Sequence, residues 1–378
     1  MDNVLANAAG KLYTFIYDTF WDGHGLIGPD AGLMFNLRVL RFVKSAFPSL
    51  RRTGRSYFLQ TQGYWIKDNW DLYRVTGKSS YKEVAIACSN HVINKQNADG
   101  SWQYPLRDWK KYVSTVEGTW ASLGLLESFQ QTRNPIYLDA ALKWYKFLIS
   151  KISFQKYAGS IVVNYFAFSP KSRKVPNNTT LVLWFLLELC EATGDRKFLE
   201  FNDKMIRFLE LCQKPNGELI YEIGTEHYLC YHYNSFEFLD LFQCYCLTDS
   251  GRIREILRKL ASFIASGITE KGSVKYACSQ TFPEVVMFSS VAGAALASAS
   301  TIGFKDYEKH IKRLYRYVVE NQRPDGSFFY SKHDLFYVRK PIQWGFLSDK
   351  NLYPGPMSFI LRHLLIRLKS QFEKFSLE

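Results

Sequence analysis

The densest group of side chains capable of acid–base chemistry lies in residues 222–234, EIGTEHYLCYHYN. This stretch holds two carboxylates, two histidines and three tyrosines directly before a predicted helix. Tyr231 or His232 could take a proton from a substrate, and Glu222 could orient or tune them. We predict these three as catalytic residues. The alternative is that the tyrosines pack between helices and that His232 caps a helix beginning at Asn234.

A second group interleaves aromatic and charged side chains in the sequence SWQYPLRDW, residues 101–109. Trp102 and Trp109 carry flat apolar rings of the kind that stack on sugar faces, while Asp108 and Glu117 could contact hydroxyl groups. Tyr104 could return a proton to the substrate. The group therefore suits a carbohydrate, and the alternative is a loop whose tryptophans fill the core.

Two further groups supply candidate binding residues. Asn164, Tyr165 and Asn178 surround a proline-containing loop, where the asparagines could bind substrate or serve only in turns and caps. Arg339 is the best candidate for pairing with a carboxylate or phosphate, because its planar guanidinium binds such groups through two hydrogen bonds. Trp344 follows it and could stack on a sugar ring. The alternative for Arg339 is a structural salt bridge.

Other kinds of site are not predicted. His227, Cys230 and His232 could bind zinc, but no second Cys/His pair follows at matching spacing, so we expect no metal. The chain contains no glycine-rich phosphate loop, no G-x-S-x-G motif and no nucleic-acid-binding module. We therefore expect no cofactor and no nucleic-acid partner.

A repeated loop organises the whole chain. NQRPDGSFFY at residues 321–330 has close copies, KQNADGSWQYP and CQKPNGELIYE, and two weaker ones. Their glycines lie 54 to 59 residues apart, at positions 100, 159, 217, 272 and 326. A second set of turns interleaves with these, near residues 77, 134, 194, 251 and 303. A fixed period of this size indicates a supersecondary unit that buries its apolar face against its neighbours.

Apolar spacing predicts helices on both sides of each loop, and no run of alternating residues exceeds a few positions. The helices are expected at residues 3–20, 36–47, 58–76, 81–96, 115–131, 136–151, 180–192, 197–212, 233–247, 253–266, 283–299, 305–321 and 356–375. With the first two taken as a pair, this makes about six hairpins, enough to close a ring. We predict an all-α fold, a single α/α toroid domain over residues 1–378, with loops at one end surrounding a cavity.

The Q-x-x-D-G-S-aromatic loops resemble the Gln/Trp loops of squalene-type terpene cyclases and related α/α toroids. The layout of SWQYPLRDW, VVNYFAFSPKSRKVPNNTTLVLWFLLEL, CYHYNSFEFLDLF and SFFYSKHDLFYVRKPIQWGF is most similar to toroid proteins of polysaccharide biosynthesis and to glucuronyl 5-epimerase C-terminal domains. The resemblance implies an enzyme that acts on an anionic glycan or sugar intermediate by proton abstraction next to a carboxylate, as an epimerase or lyase. In that mechanism, Arg339 with Asn178 would neutralise the carboxylate.

Three alternatives stay open. Glu222 and Asp108 could form the acid and base of a glycosidase. A terpene or prenyl cyclase would use the aromatic residues, 16% of the chain, but its D-x-D-D acid motif is absent, and Asp68 with Asp71 is the nearest pattern. The third alternative is a non-catalytic glycan-binding or scaffold protein.

The composition indicates which kinds of partner the protein could bind and in which cellular compartment it is expected. The net charge of +13 suggests an acidic partner, such as an anionic glycan or an anionic membrane surface. Seven cysteines without disulfide spacing, no recognisable signal peptide and no apolar run long enough to cross a bilayer predict a cytoplasmic protein. Residues 357–375 form a basic amphipathic helix that could contact a membrane peripherally, or could simply close the core.

Overall fold

A computed structural model describes residues 2–29, 43, 46–47, 55–105, 112–168, 173–224, 231–276, 283–337, 341–344 and 348–375. These residues contain twelve α-helices, which confirm the all-α prediction. The helices are α1 Asp2–Phe20, α2 Leu59–Thr76, α3 Ser79–Asn94, α4 Thr115–Thr132, α5 Pro135–Phe147, α6 Pro176–Thr193, α7 Asn202–Cys212, α8 Tyr231–Thr248, α9 Gly251–Ser266, α10 Val286–Thr301, α11 Glu308–Glu320 and α12 Pro354–Phe375.

The helices form two concentric rings. The even-numbered helices make the inner ring: each packs against the next in order, and α12 returns to α2 and closes it. The odd-numbered helices lie outside, each packed against its inner partner in the pairs α2/α3, α4/α5, α6/α7, α8/α9, α10/α11 and α12/α1. The fold is therefore the predicted α/α toroid of six hairpins.

The sixth hairpin joins the two ends of the chain. The sequence predicts that α1 pairs with a helix at residues 36–47, most of which lie outside the described residues, but the structure packs α1 against α12. The predicted N-terminal pair is thus corrected. Gln322 donates a hydrogen bond to the Ala8 carbonyl at 2.9 Å, and a Cβ on Gly326 would overlap the Lys11 carbonyl. The last repeated loop therefore docks directly on the first helix.

The same contact recurs in the repeated loops and explains their sequence. In three of them a glutamine side chain donates to the loop glycine carbonyl and to a carbonyl of the next outer helix, from Gln96 to Ala140, from Gln213 to Ile256 and from Gln322 to Ala8. The glycines adopt φ near +90°, a conformation that favours glycine. The loop motif therefore connects neighbouring hairpins.

Short antiparallel strands occupy the loops before four inner helices. β1 Val113–Ser114 pairs with β4 Phe166–Ala167, β2 Phe154–Tyr157 with β3 Ser160–Val163, and β6 Ser331–Tyr337 with both β5 Glu284–Val285 and β7 Pro341–Trp344. The sequence indicated only brief extended pieces, so the seven-residue β6 was missed.

The C-terminal helix α12 belongs to the inner ring. Met357, Ile360, Leu361 and Leu364 are buried in the common core. The apolar face of α12 is therefore covered by protein at these four residues, and peripheral membrane contact stays a prediction. Among the described helices, none is both long and apolar enough to cross a membrane.

Candidate functional site

A cavity of about 710 Å³ opens where the inner helices begin. All six inner helices contribute to its wall, as do the loops preceding five of them, from α4 to α12. The lining residues are Gln60, Tyr64, Tyr104, Ser114, Val116, Glu117, Trp120, Tyr165, Val175, Asn177, Asn178, Tyr221, His232, Tyr233, Phe236, Asp240, Tyr276, Pro283, Met287, Phe288, Tyr330 and Phe359. A cavity of this size and mixed lining is typical of a small-molecule site.

The wall of the cavity is polar on one side and apolar on the other. At the second or third position of α2, α4, α6 and α8 stand Gln60, Glu117, Asn178 and His232. The corresponding residues of α10 are Met287 and Phe288, and α12 contributes Phe359. Such a wall fits a ligand with hydrogen-bonding edges and an apolar face, which is the chemistry of a sugar ring.

His232 is held rigidly in the first turn of α8. Its ring stacks on Phe288 with a centroid distance of 3.8 Å and an angle of 6° between planes. The side chain is 6% exposed, and its buried Nδ1 has no hydrogen-bond partner among the described residues. Burial lowers the pKa of His232 to about 3, because the charged imidazolium would lose its hydration. The imidazole is therefore neutral at physiological pH.

Glu117 and Tyr165 are positioned by contacts between neighbouring loops. The Glu117 carboxylate accepts a hydrogen bond from the Gln60 backbone N–H at 2.9 Å, which satisfies one free donor at the start of α2. The Thr115 backbone N–H donates to the Tyr165 carbonyl. Asn164 donates to the Ile152 carbonyl and accepts from Gln155, so its side chain holds the loop instead of lining the cavity.

A cation that the sequence prediction missed lies beside the cavity. The Arg173 guanidinium binds Glu222 at 2.5 and 2.9 Å and lies over the rings of Tyr165 and Tyr221, both of which line the cavity. Glu222 is not itself a lining residue. The available sequence signal was the basic cluster at residues 171–174.

The structure places Tyr231 and Trp102 inside the protein wall. Tyr231 stacks on Phe263 at 4.6 Å, and a Cβ on Gly267 would overlap its ring. Trp102 is buried and donates from its indole nitrogen to the Val92 carbonyl at 2.9 Å. Because successive helical residues are about 100° apart, the start of α8 at Tyr231 turns His232 toward the cavity and Tyr231 toward α9. Neither Tyr231 nor Trp102 lines the cavity.

Five predicted site residues thus come together at the cavity: Tyr104, Glu117, Tyr165, Asn178 and His232. Asp108, Trp109 and Arg339 lie outside the described residues, as do His227 and Cys230 of the zinc alternative. Trp344 is in β7. Across the described part of the chain, no three His, Cys, Asp or Glu side chains gather in a way that could hold a metal ion.

The floor of the cavity was not predicted. Tyr64 packs between Trp120 and Phe359, with ring centroids 4.1 and 4.3 Å away, and Asp240 lies on the same surface. Burial raises the pKa of the Asp240 carboxyl well above its usual range. The missed signal was a pair of carboxylates, Glu237 and Asp240, within the largely aromatic and aliphatic sequence of α8.

No family model and no curated protein matches this sequence. Solved structures do match in fold. A cellobiose 2-epimerase from Bacillus thermoamylovorans is 13% identical with a TM-score of 0.71, covering 96% of this chain and 99% of its own. A D-mannose isomerase is 12% identical with a TM-score of 0.71 and 98% coverage of both chains. A possible GH105 family member from Salmonella enterica is 12% identical with a TM-score of 0.71, covering 99% of this chain and 95% of its own.

At these identities the similarity shows a common fold, the α/α toroid. It extends over nearly the whole of each chain. The resemblance to the terpene cyclase and prenyltransferase superfamily stays a prediction.

Proposed function

We propose that this protein is a carbohydrate-active enzyme that binds a sugar in the central cavity and transfers a proton there. The observation that carries the proposal is a neutral, stacked His232 in a cavity with one polar and one aromatic side. The similarity to toroids named as a sugar epimerase and a sugar isomerase adds support from fold alone.

His232 is suited to act as a base when the substrate brings a negative charge. Its low pKa keeps it unprotonated in the empty cavity. A substrate carboxylate bound nearby would raise that pKa, because an opposite charge favours the imidazolium. His232 would then take a proton from the carbon next to the carboxylate, and the C–H electron pair would form the C=C bond of an enolate. Proton return from Tyr104 on the opposite face gives an epimer, and loss of a leaving group gives a lyase product.

Two features of the cavity favour an anionic sugar. The inner helices begin at the cavity, so their N–H groups and positive dipole ends can stabilise negative charge on the substrate or enolate. Arg173 adds a guanidinium beside the opening, and the whole chain carries +13. Asn178 offers an amide donor from the wall. We therefore propose a uronate as the substrate.

Binding can be tested by thermal unfolding with uronic-acid oligosaccharides and neutral oligosaccharides in parallel. A ligand that binds only the folded state raises the melting temperature according to its concentration relative to Kd. We expect stabilisation by uronates. Incubation of the same ligands with enzyme in D2O should then exchange the acidic carbon's proton, which is measured by NMR.

The matched variants are His232→Gln and Tyr231→Phe. His232→Gln keeps a neutral polar side chain but removes the base, so exchange should fall by at least about 100-fold, the usual contribution of a general base. Tyr231→Phe alters the neighbouring residue outside the cavity and should leave exchange unchanged. Undiminished exchange in His232→Gln would contradict the proposal.

The aromatic floor keeps a prenyl or terpene cyclase as the second candidate. Tyr64, Trp120 and Phe359 would suit an isoprenoid chain, whereas Glu117 and Asn178 would be left without polar ligand groups. Stabilisation by prenyl diphosphates alone would favour that activity. Binding of glycans without any exchange or cleavage would favour a binding protein.

A further inference from the structure

Asp240 shares its hydrogen-bond partner, the Thr180 hydroxyl, with a backbone carbonyl oxygen. The Thr180 hydroxyl oxygen lies 2.9 Å from both the Asn177 carbonyl oxygen and Asp240 Oδ2. A carbonyl oxygen can only accept, and a hydroxyl group has one hydrogen to donate. With that hydrogen directed to Asn177, the second contact is satisfied when Asp240 donates. Both contacts can therefore be hydrogen bonds at the same time only when Asp240 carries a proton.

The surroundings of Asp240 favour the same state. The side chain is 5% exposed, and none of the described ion pairs includes it. The titratable groups that are electrostatically coupled to it are Glu237 and Cys244 from the same helix and Tyr64 from α2, and none of them is a cation at neutral pH. A buried carboxylate without a cation loses its hydration uncompensated, so it takes up a proton instead.

We infer that Asp240 is a neutral carboxylic acid that recognises a hydroxyl group of the sugar at the floor of the cavity. Its Oδ2–H donates to Thr180, which leaves Oδ1 as an uncharged acceptor for a ligand hydroxyl. This inference rests on the proposed function, because it assumes that the cavity binds a sugar.

Because of its position, Asp240 would contact a different part of the ligand from the part that contacts His232. Asp240 follows His232 by eight residues on α8, so it lies about 12 Å deeper along the helix axis. The rings of Tyr64 and Trp120 pack at 4.1 Å on the same floor and can cover a sugar face. A ligand in contact with both His232 and Asp240 spans more than one pyranose ring. The substrate class is then a disaccharide or longer, with an uncharged sugar at the floor and the uronate near the opening.

The protonation state is tested on the protein without ligand. Infrared difference spectra between the wild type and Asp240→Asn at pH 7 should contain the C=O band of a protonated carboxyl. Thr180→Val removes the hydrogen-bond acceptor and should shift that band to higher frequency. A carboxylate band in place of the C=O band, or a spectrum insensitive to Thr180→Val, would overturn the inference.

The recognition role is tested by calorimetry with a uronic-acid-containing disaccharide. Asp240→Asn keeps a neutral acceptor toward the cavity and a donor toward Thr180, so affinity should stay within about threefold of the wild type. Asp240→Ala loses the acceptor and should bind about tenfold more weakly, which corresponds to one hydrogen bond. Equal losses in both variants would overturn the inference. Absence of binding to every glycan contradicts the proposed function, whereas an ionised Asp240 in a glycan-binding protein contradicts this inference alone.

Discussion

The two ends of the inner ring hold buried ionisable side chains in opposite states. Toward the C-terminal ends of α2 and α4, Asp71, Arg74 and Glu127 form ion pairs. His232 and Asp240 line the cavity, which opens at the opposite end, and neither belongs to a described ion pair. The side chains in ion pairs therefore stay charged, whereas burial keeps His232 and Asp240 uncharged.

The ion pairs at this end connect α2 with its two neighbours in the inner ring, α4 and α12. Glu127 accepts from Lys67 at 2.9 Å and from Arg74 at 2.5 Å, while Arg362 of α12 binds Asp71 of α2. Burial alone would raise the pKa values of Glu127 and Asp71, but the adjacent cations hold both below their usual range. These charges satisfy one another, so little hydrogen-bonding capacity is left for a ligand.

The difference distinguishes a structural cluster from a candidate site. Buried charges that are paired hold helices together. Buried polar groups without charged partners keep hydrogen-bond donors and acceptors that a ligand can use. The following predictions test this distinction, beginning with the largest expected effect.

Replacing Arg362 with Met should destabilise the protein by about 3–5 kcal/mol, because it removes the cation beside the fully buried Asp68 and leaves Asp71 with Arg74 alone. Urea unfolding measures the loss as a lower midpoint. The double variant Asp71→Asn with Arg362→Met should recover part of it, since one of the carboxylates that Arg362 neutralised is removed. A loss below about 1 kcal/mol would mean that this pair does not hold the join between α12 and α2.

Replacing His232 with Gln should make the protein less sensitive to mild acid. The folded pKa of about 3 lies below the unfolded value of 6.5, so only the unfolded chain binds a proton between these values. Stability is therefore fully present above pH 6.5 and falls as the pH drops, by about 1.4 kcal/mol per pH unit. The wild type should lose about 2 kcal/mol more than His232→Gln between pH 6.5 and pH 5.

The paired end provides the control for that measurement. Glu127 and Asp71 have depressed pKa values, so their contribution is present above their unfolded pKa values and is lost only at lower pH, from about pH 4.5 downward. The His232→Gln variant should lose stability below about pH 4.5 in the same way as the wild type. Parallel stability curves for wild type and variant between pH 5 and 6.5 would show that His232 is not held neutral by burial.

The sequence predicted the fold well because the fold depends on local, repeated signals. The repeated loops recur because each one packs a hairpin against the next. Apolar spacing located each inner helix in the described residues to within a few residues. The pairing of α1 with α12 could not be predicted from these local signals, because it joins segments more than 300 residues apart in the sequence. The strands also lacked a signal, since short paired segments in loops do not require alternating burial.

The site was predicted less completely than the fold, for a geometric reason. The sequence placed the helix start near residue 233, whereas α8 begins at Tyr231. With the predicted start, Tyr231 and His232 fall in the preceding loop, where helical periodicity does not say which side chain faces the cavity. Tyr231 and His232 therefore could not be distinguished before the structure. Asp240 was missed because the acids of α8, Glu237 and Asp240, match no motif that predicts a site.

The ion pair between Arg173 and Glu222 should give the smallest effect on stability. The Arg173 side chain is substantially exposed, and exposed pairs contribute about 0–1 kcal/mol. Glu222→Gln should therefore unfold at nearly the same urea concentration as the wild type. A loss approaching that of Arg362→Met would mean that exposure does not separate the two kinds of pair.

The same variant should change ligand binding more than stability. Glu222 competes with any substrate carboxylate for the Arg173 guanidinium, so Glu222→Gln should strengthen uronate binding severalfold and leave neutral sugars unaffected. Calorimetry with a matched uronate and neutral disaccharide measures both. Added salt should reduce the gain, because the contact is near solvent and is screened. An equal change for both sugars would indicate that Arg173 positions Tyr165 and Tyr221 without contacting the carboxylate.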